Sequence, residues 1–569
     1  MTVETPWDVA ERAASVLAPE SGLLADPDLA GLGGALAMAA RGVMANPAEA
    51  VQAAIRFATR LGQIPPVALS NWFGIAMAPP VQLNPRDRRF ADRTWSEHPA
   101  FLSIRMSYQA FVEFADELVT AAGLERVQET KARLLTGLML DALAPTNFLL
   151  TNPAALKCAF ETGGASLARG TRNVLDDLLH NNGRPRQVDT RNFTIGKDLA
   201  ATPCKVVYRN DLMELLQYAP RTAQVRTAPL LCSPPWINKY YVMDLAPGRS
   251  FIEWAIQNER TVFAISYRNP PAEMSNITMD DYLIHGPNQA LDVIQDITGA
   301  NRVDIVGLCL GGALTAITDA YLTAAGEERV GNLTLLNTLL DYSEPGVLGA
   351  FTDEEAVRRV EKQMTKEGHL PGATMAGTFD ILRANDLIFS YVVSNWLMGQ
   401  DPPAFDILAW NDDSTRMPAA MHSFYLRSFY VENRLAKEQL EIAGRIVRLS
   451  DVKQKAYIVG AENDHIVPWR SAYASTQLLS GPVRFVLSSG GHIAGIVNPP
   501  GPKGWHLVGK NHPDSPDAWR EHATRHEGSW WKDWAAWSAR NSGPLVDPPP
   551  MGCDAYPVLY DGPGEYIHT

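Results

Sequence analysis

A cysteine stands among glycines in the run Gly307-Leu308-Cys309-Leu310-Gly311-Gly312. Before it, Val303-Asp304-Ile305-Val306 has the β-branched, apolar character of a strand, and after it Ala313-Leu314-Thr315-Ala316-Ile317 favours helix. Strand, tight turn and helix in that order lift a nucleophile onto a sharp bend, with glycines beside it so that neighbouring backbone can approach. The helix N-terminus next to the sulfur favours thiolate over thiol. A thiolate attacks acyl carbonyls at neutral pH and leaves again readily, which suits repeated passage of an acyl group between thioesters. Cys158, Cys204, Cys232 and Cys553 lack this context and are expected to be small packing residues.

Such a nucleophile needs a base, and a carboxylate to orient the base, in the chain order nucleophile, acid, base. The strand-like run Ala456–Val459 ends in Gly460-Ala461-Glu462-Asn463-Asp464-His465, so Glu462 and Asp464 both stand where the acid belongs. Arg484–Leu487 ends in Ser488-Ser489-Gly490-Gly491-His492, where glycines let a loop turn and bring an imidazole to the sulfur. His492 would take the thiol proton while the carboxylate fixes its tautomer and stabilises the imidazolium. Backbone N–H groups for the oxyanion are expected from Leu310 and from the loop Cys232–Tyr241. Pro234 and Pro235 have no N–H there, so the second donor is Trp236 or Ile237. His465 is assigned to packing or hydrogen bonding. His522 and His526, four apart on an expected helix, lack a third ligand nearby and are assigned to a solvated face rather than a metal site.

The elements that must position these groups begin near residue 200. Strands are expected at Lys205–Tyr208, Ala228–Cys232, Thr261–Ser266, Val303–Val306, Leu333–Leu336, Ala456–Val459 and Arg484–Leu487. Helices are expected at Ser250–Asn258, Met279–Thr298, Gly311–Thr323 and Ser515–Ala539. The alternation implies βαβ units and a mostly parallel sheet, and with the nucleophile turn it implies an α/β-hydrolase fold. That catalytic domain is placed at 196–569. Residues 343–445 hold little strand signal and are expected to form a helical cap over the carboxyl ends of the strands. Residues 1–195 are expected to form a helical domain. Asn46-Pro47 starts one helix there, with Val51, Ile55, Ala58 and Leu61 on one face, and Leu124–Leu143 forms another.

Composition bounds the class. The chain has 569 residues, of which 46% are hydrophobic and 20% charged, as in soluble globular proteins. A net charge of −13 argues against a general nucleic-acid binder, and any anionic substrate would need a local basic cluster. The 5 cysteines are scattered and form no C-x-x-C pair, so neither a disulfide framework nor a zinc site is expected, and a reducing cytoplasm fits. The start of the chain does not resemble a secretory signal, and the apolar run Leu32–Ala40 stops at Arg41, far short of the ~20 residues of a membrane helix.

Several longer runs resemble the polyhydroxyalkanoate synthases. They include Asp87–Trp95, Pro145–Pro153, Pro234–Tyr241, Ser266–Pro270, Gly307–Gly312, Trp410–Thr415, Asp464–Trp469, Gly491–Gly495 with Asn498–Pro500, and Gly528–Trp534. The resemblance implies polymerisation of (R)-3-hydroxyacyl-CoA into storage polyester with release of CoA, the growing chain held on Cys309 as a thioester. It selects Asp464 over Glu462 as the acid that supports His492, and it has Asp464 help activate the 3-hydroxyl of the incoming unit. It implies a homodimer on polyester granules in the cytoplasm, the N-terminal domain serving granule association or dimer stability, with no metal or bound cofactor. Ala494 after the base resembles members that use short units such as 3-hydroxybutyryl-CoA, whereas Trp236 departs from the cysteine common in that group. The chain length resembles members active without a second kind of subunit. The competing readings are a thioesterase or polyester depolymerase with the same triad, and a non-catalytic granule-coat protein.

Overall fold

The computed structural model describes residues 29–569. It divides into two compact units, residues up to Asp189 together with Ala376–Ala404, and Thr190–Met375 together with Phe405–Thr569.

The first unit is helical. Helices α1 (Leu29–Ala45), α2 (Pro47–Trp72), α3 (Pro99–Ala121) and α4 (Arg126–Ala142) pack in pairs, α1 with α4 and α2 with α3. Pro47 lies in the first turn of α2, where a missing N–H costs nothing. Asn46 makes no side-chain cap; its Nδ2 donates to the Ala121 carbonyl at 3.3 Å instead. The stripe Val51, Ile55, Ala58 and Leu61 does lie on α2, but it faces solvent. Ala53, Ile64, Val67 and Ala68 are the residues α2 buries, the last three against Leu102, Met106 and Ala110. Segment 376–404 joins this unit through an Asn173 Nδ2 bond to the Asn395 carbonyl (3.0 Å) and a Trp396 Nε1 bond to Asp177 (2.8 Å). The stretch 343–445, expected as one cap, is therefore shared between the units.

The second unit is built on an eleven-stranded sheet. In chain order its strands are β1 (Cys204–Arg209), β2 (Met213–Tyr218), β3 (Leu230–Ser233), β4 (Val262–Tyr267), β5 (Val303–Leu308) and β6 (Val330–Leu336). They continue with β7 (Ala456–Ala461), β8 (Val483–Ser488), β9 (Trp505–Val508), β10 (Thr524–Glu527) and β11 (Tyr560–Asp561). The spatial order is β10-β9-β8-β7-β6-β5-β3-β4-β2-β1-β11. The six central strands, β4-β3-β5-β6-β7-β8, are parallel; the margins are antiparallel. Every residue of β3, β5 and β7 is buried, as expected of parallel strands covered on both faces. This is the α/β-hydrolase architecture that the sequence implies. Helix α5 (Leu310–Ala324) follows the nucleophile turn and is buried from Leu310 to Leu322.

The sheet region departs from the sequence reading at two further points. Strand β2 carries Glu214 and Gln217 in its interior, which hides it from an apolar pattern search. The fold satisfies both: Glu214 accepts from the amides of Glu565 (2.9 Å) and Tyr566 (3.0 Å), and Gln217 bonds the Pro550 carbonyl and the Gly552 amide. The helix expected at Ser515–Ala539 is two helices, α6 (Pro516–His522) and α7 (Trp531–Asn541), with strand β10 between them.

Candidate active site

Cys309 occupies the turn between β5 and α5 with φ 52° and ψ −116°. Positive φ on a residue with a side chain is strained, and strain of this kind concentrates at functional sites. Close packing holds it. A Cβ on Gly307 would lie 2.4 Å from the Gly311 carbonyl oxygen, one on Gly311 2.1 Å from that of Ser233, and one on Gly312 1.9 Å from Thr338 Oγ1. The Cys309 amide donates to the Leu336 carbonyl at 2.8 Å, tying the turn to the end of β6.

Asp464 and His492 leave the carboxyl ends of β7 and β8 and meet beside this turn. His492 Nδ1 lies 2.7 Å from Asp464 Oδ2, and both residues are buried. Asp464 Oδ1 accepts from the amides of Ile466 and Val467, each at 2.8 Å, so the carboxylate cannot swing away. With Nδ1 on the carboxylate, Nε2 is left for the thiol. Burial works to lower the His492 pKa, but the charges of Asp464 and Cys309 and hydrogen bonds to both side chains outweigh it and push it up to about 10. An imidazolium facing sulfur is the arrangement that stabilises a thiolate. Glu462, the other carboxylate beyond β7, turns outward and pairs with Arg520.

The base loop is clamped from three directions. Asn337, just past β6, donates from Nδ2 to the His492 carbonyl at 2.6 Å. The Asn463 amide donates to the Gly490 carbonyl at 2.8 Å, where Gly490 has φ 116°. Trp530 Nε1 donates to the Gly495 carbonyl (2.8 Å) and Trp531 Nε1 to that of Ile496 (2.9 Å). Sequence reasoning missed Asn337; its one signal is a polar residue directly after an apolar strand.

Around the sulfur the expected oxyanion donors take distinct positions. Leu310 opens α5, so its amide has no partner within the helix. Among the described residues the amides of Trp236 and Ile237 also donate to nothing, whereas Asn238 N is taken by Thr415 Oγ1 at 2.8 Å. Tyr342, Tyr425 and Tyr430 complete the surroundings. Burial raises the pKa of each phenol, and the charge of Cys309 adds to the rise. Tyr425 Oη and Tyr430 Oη are 3.3 Å apart, and the Trp236 ring packs on Tyr282 and Tyr425.

The remaining candidates are not drawn into the site. His522 ends α6 and bonds the Ala518 carbonyl, while His526 lies on β10 stacked 5.2 Å from His506, so the two histidines do not share a helix face. Burial pushes the Cys204 and Cys232 thiols up, keeping them protonated. An open cleft of about 720 Å³, lined by Arg302, Asp304, Asn332 and Lys455 among others, lies at the opposite ends of the strands, away from Cys309.

Fold and site together define an acyl-transferring enzyme on an α/β-hydrolase scaffold. Comparison with known proteins makes this specific. A family profile described as the N-terminus of poly-beta-hydroxybutyrate polymerase matches residues 86–255, and the alpha/beta hydrolase fold profile matches 239–499. The poly(3-hydroxyalkanoate) polymerase of Methylorubrum extorquens is 40% identical over 527 residues, covering 92% of this chain and 87% of that one. Poly(3-hydroxyalkanoate) polymerase 2 of Ectopseudomonas oleovorans is 41% identical, covering 86% of this chain and 88% of its own. The polymerase subunit PhaC of Cupriavidus necator is 38% identical, covering 84% and 83%. The chain belongs to the poly(3-hydroxyalkanoate) polymerase family.

Proposed function

We propose that this polymerase takes short (R)-3-hydroxyacyl units, such as 3-hydroxybutyryl, from their CoA thioesters and carries the growing polyester on Cys309. The observation that carries the reading is the strained Cys309 turn beside a buried His492, whose Nδ1 lies 2.7 Å from Asp464 Oδ2. His492 removes the thiol proton, and the thiolate attacks the acyl carbonyl. The oxyanion that forms lies between the Leu310 amide and that of Trp236 or Ile237. The C–S bond to CoA then breaks, and CoA leaves with the proton from His492. In the next round the 3-hydroxyl of an incoming hydroxyacyl-CoA gives its proton to His492 and attacks the Cys309 thioester. An ester forms and the Cys309–acyl bond breaks. The lengthened chain, now on CoA, returns to the thiolate with release of CoA. The reaction so written uses only groups of the chain, with no metal or bound cofactor. Sulfur suits it because a thioester is handed on readily to a hydroxyl.

Short units are favoured by Ala494 after the base His492, as in the members the chain resembles; Trp236, which departs from the cysteine of that group, packs on Tyr282 and Tyr425 and adds bulk to the oxyanion loop. The same reading has the enzyme act as a homodimer at the surface of cytoplasmic polyester granules. Exposed apolar residues of the helical unit, among them Ile55, Leu69, Trp72 and Phe73, support attachment to an apolar surface. Among the described residues no helix is long and apolar enough to cross a membrane.

Release of CoA and formation of polymer from (R)-3-hydroxybutyryl-CoA, compared with 3-hydroxydecanoyl-CoA, test the reading. Polymer from the shorter substrate is expected, and Cys309→Ala should abolish both CoA release and covalent acylation. Free acid without polymer would instead favour a thioesterase or depolymerase.

A further inference from the structure

The two unpartnered amides of the oxyanion loop sit on a segment that cannot hold its own shape. It follows two prolines, and Asn238 lies in the left-handed region at φ 61°. Its geometry is imposed from outside. Thr415 Oγ1 accepts from the Asn238 amide (2.8 Å) and donates to the Trp236 carbonyl (3.2 Å). Trp410 Nε1 donates to the Lys239 carbonyl at 2.8 Å, and Tyr241 Oη donates to Asp413 Oδ2 at 3.0 Å.

Lys239 joins these tethers. Its side chain is 8% exposed, and its Nζ reaches Asp413 Oδ1 at 2.9 Å and the Ile567 carbonyl at 2.5 Å. Ile567 belongs to a segment held in turn by the Glu214 carboxylate through the amides of Glu565 and Tyr566. One ammonium thus binds the oxyanion loop, the 410–415 segment and the 565–567 segment. Burying an ammonium is costly, and for stability alone an apolar side chain of similar volume often serves as well or better. A buried charge that spans three segments next to a catalytic loop therefore calls for another role.

We propose that Lys239 is a positioning residue of the acyl-transfer site, setting the Trp236 and Ile237 amides relative to Cys309 by gripping Asp413 and Ile567 together. The proposal rests on the acyl-transfer reading above. It makes the 565–567 segment, distant in sequence from the triad, part of the machinery that aligns the oxyanion.

The test uses the full chain carrying Lys239→Met, which keeps length and removes the charge. Two rates are measured, CoA release from (R)-3-hydroxybutyryl-CoA and alkylation of Cys309 by iodoacetamide. Alkylation needs the thiolate and His492 but no oxyanion donor. A kcat lower by about 10²-fold is expected, with KM within about twofold and alkylation at the wild-type rate, since small misplacements of catalytic groups cost that much. Asp413→Asn, which keeps the bond to Ile567, should give a smaller fall in kcat with the same unchanged alkylation, and it carries the test alone if Lys239→Met does not fold. Wild-type kcat in the variant that folds, or parallel loss of alkylation and turnover, would overturn the proposal. Absence of CoA release from the wild type would instead overturn the polymerase reading on which it rests.

Discussion

Replacing Asp319 by asparagine should stabilise the protein, and only at neutral and alkaline pH. Asp319 lies on α5, 2% exposed, and its Oδ2 has no hydrogen-bond partner. Burial pushes its carboxyl pKa from 3.8 up to about 7, with Arg302 pulling weakly the other way. Between those two values the folded protein holds a proton that the unfolded chain has released. Stability therefore falls as pH rises from about 4 to about 7, and the whole cost is present above that. A difference of roughly three pKa units corresponds to a cost on the order of 4 kcal/mol, an upper figure for a group that neighbouring atoms can relax around. For a folding unit of roughly 350 residues that is a change in Tm of about 5 °C. Asparagine keeps the shape of the neutral acid and cannot ionise. Scanning fluorimetry of wild type and Asp319→Asn should show near-equal Tm at pH 5, with the variant rising above wild type through pH 7 to reach the full gap at pH 8.5. Other titrating groups act equally in both proteins and cancel in the difference. A gap that is independent of pH, or one that is largest at pH 5, would refute the reasoning.

Asp464→Asn removes the charge that raises the His492 pKa, so the imidazolium should give up its proton at lower pH. The His492 imidazole ring protons, followed by NMR across pH 6–10, should titrate at lower pH than in the wild type, and turnover should fall about 10²–10⁴-fold. Trp236→Ala opens space between Tyr282 and Tyr425 beside the site. The ratio of kcat/KM for 3-hydroxydecanoyl-CoA over 3-hydroxybutyryl-CoA should rise, by about tenfold or more for several added methylenes. The same change should cost about 3–5 kcal/mol of stability through the cavity it leaves. An unchanged ratio would refute a role for Trp236 in choosing the length of the acyl unit.

The nucleophile turn was legible because its requirements are local. Glycines at 307, 311 and 312 answer contacts of 2.4 Å or less that any side chain would meet. The parallel strands were legible because burial on both faces leaves continuous apolar runs. Strand β2 was not, because its buried Glu214 and Gln217 take their partners from residues beyond 550. For the same reason neither Asn337 nor Lys239 announces itself. Each acts through a backbone carbonyl far away in sequence, and a carbonyl leaves no mark on residue type. The stretch Ser515–Ala539 looked helical because both halves are; the exposed strand Thr524–Glu527 has no apolar alternation to betray it. Asp464 was separable from Glu462 only by family resemblance, whereas the structure separates them by partner, His492 for one and Arg520 for the other.

The indole clamp on the base loop bears on how the enzyme comes into being on the ribosome. By the time residue 500 has been added, Cys309, Asp464 and His492 have all been synthesised. The carbonyls of Gly495 and Ile496 still await the donors of Trp530 and Trp531, and the Lys239 ammonium awaits the Ile567 carbonyl. A nascent chain thus carries the reactive thiol long before the loop opposite it is locked. Alignment waits for residues 530 to 567, so a chain stalled or cut before residue 530 would hold every reacting group and still lack the donors that clamp the base loop.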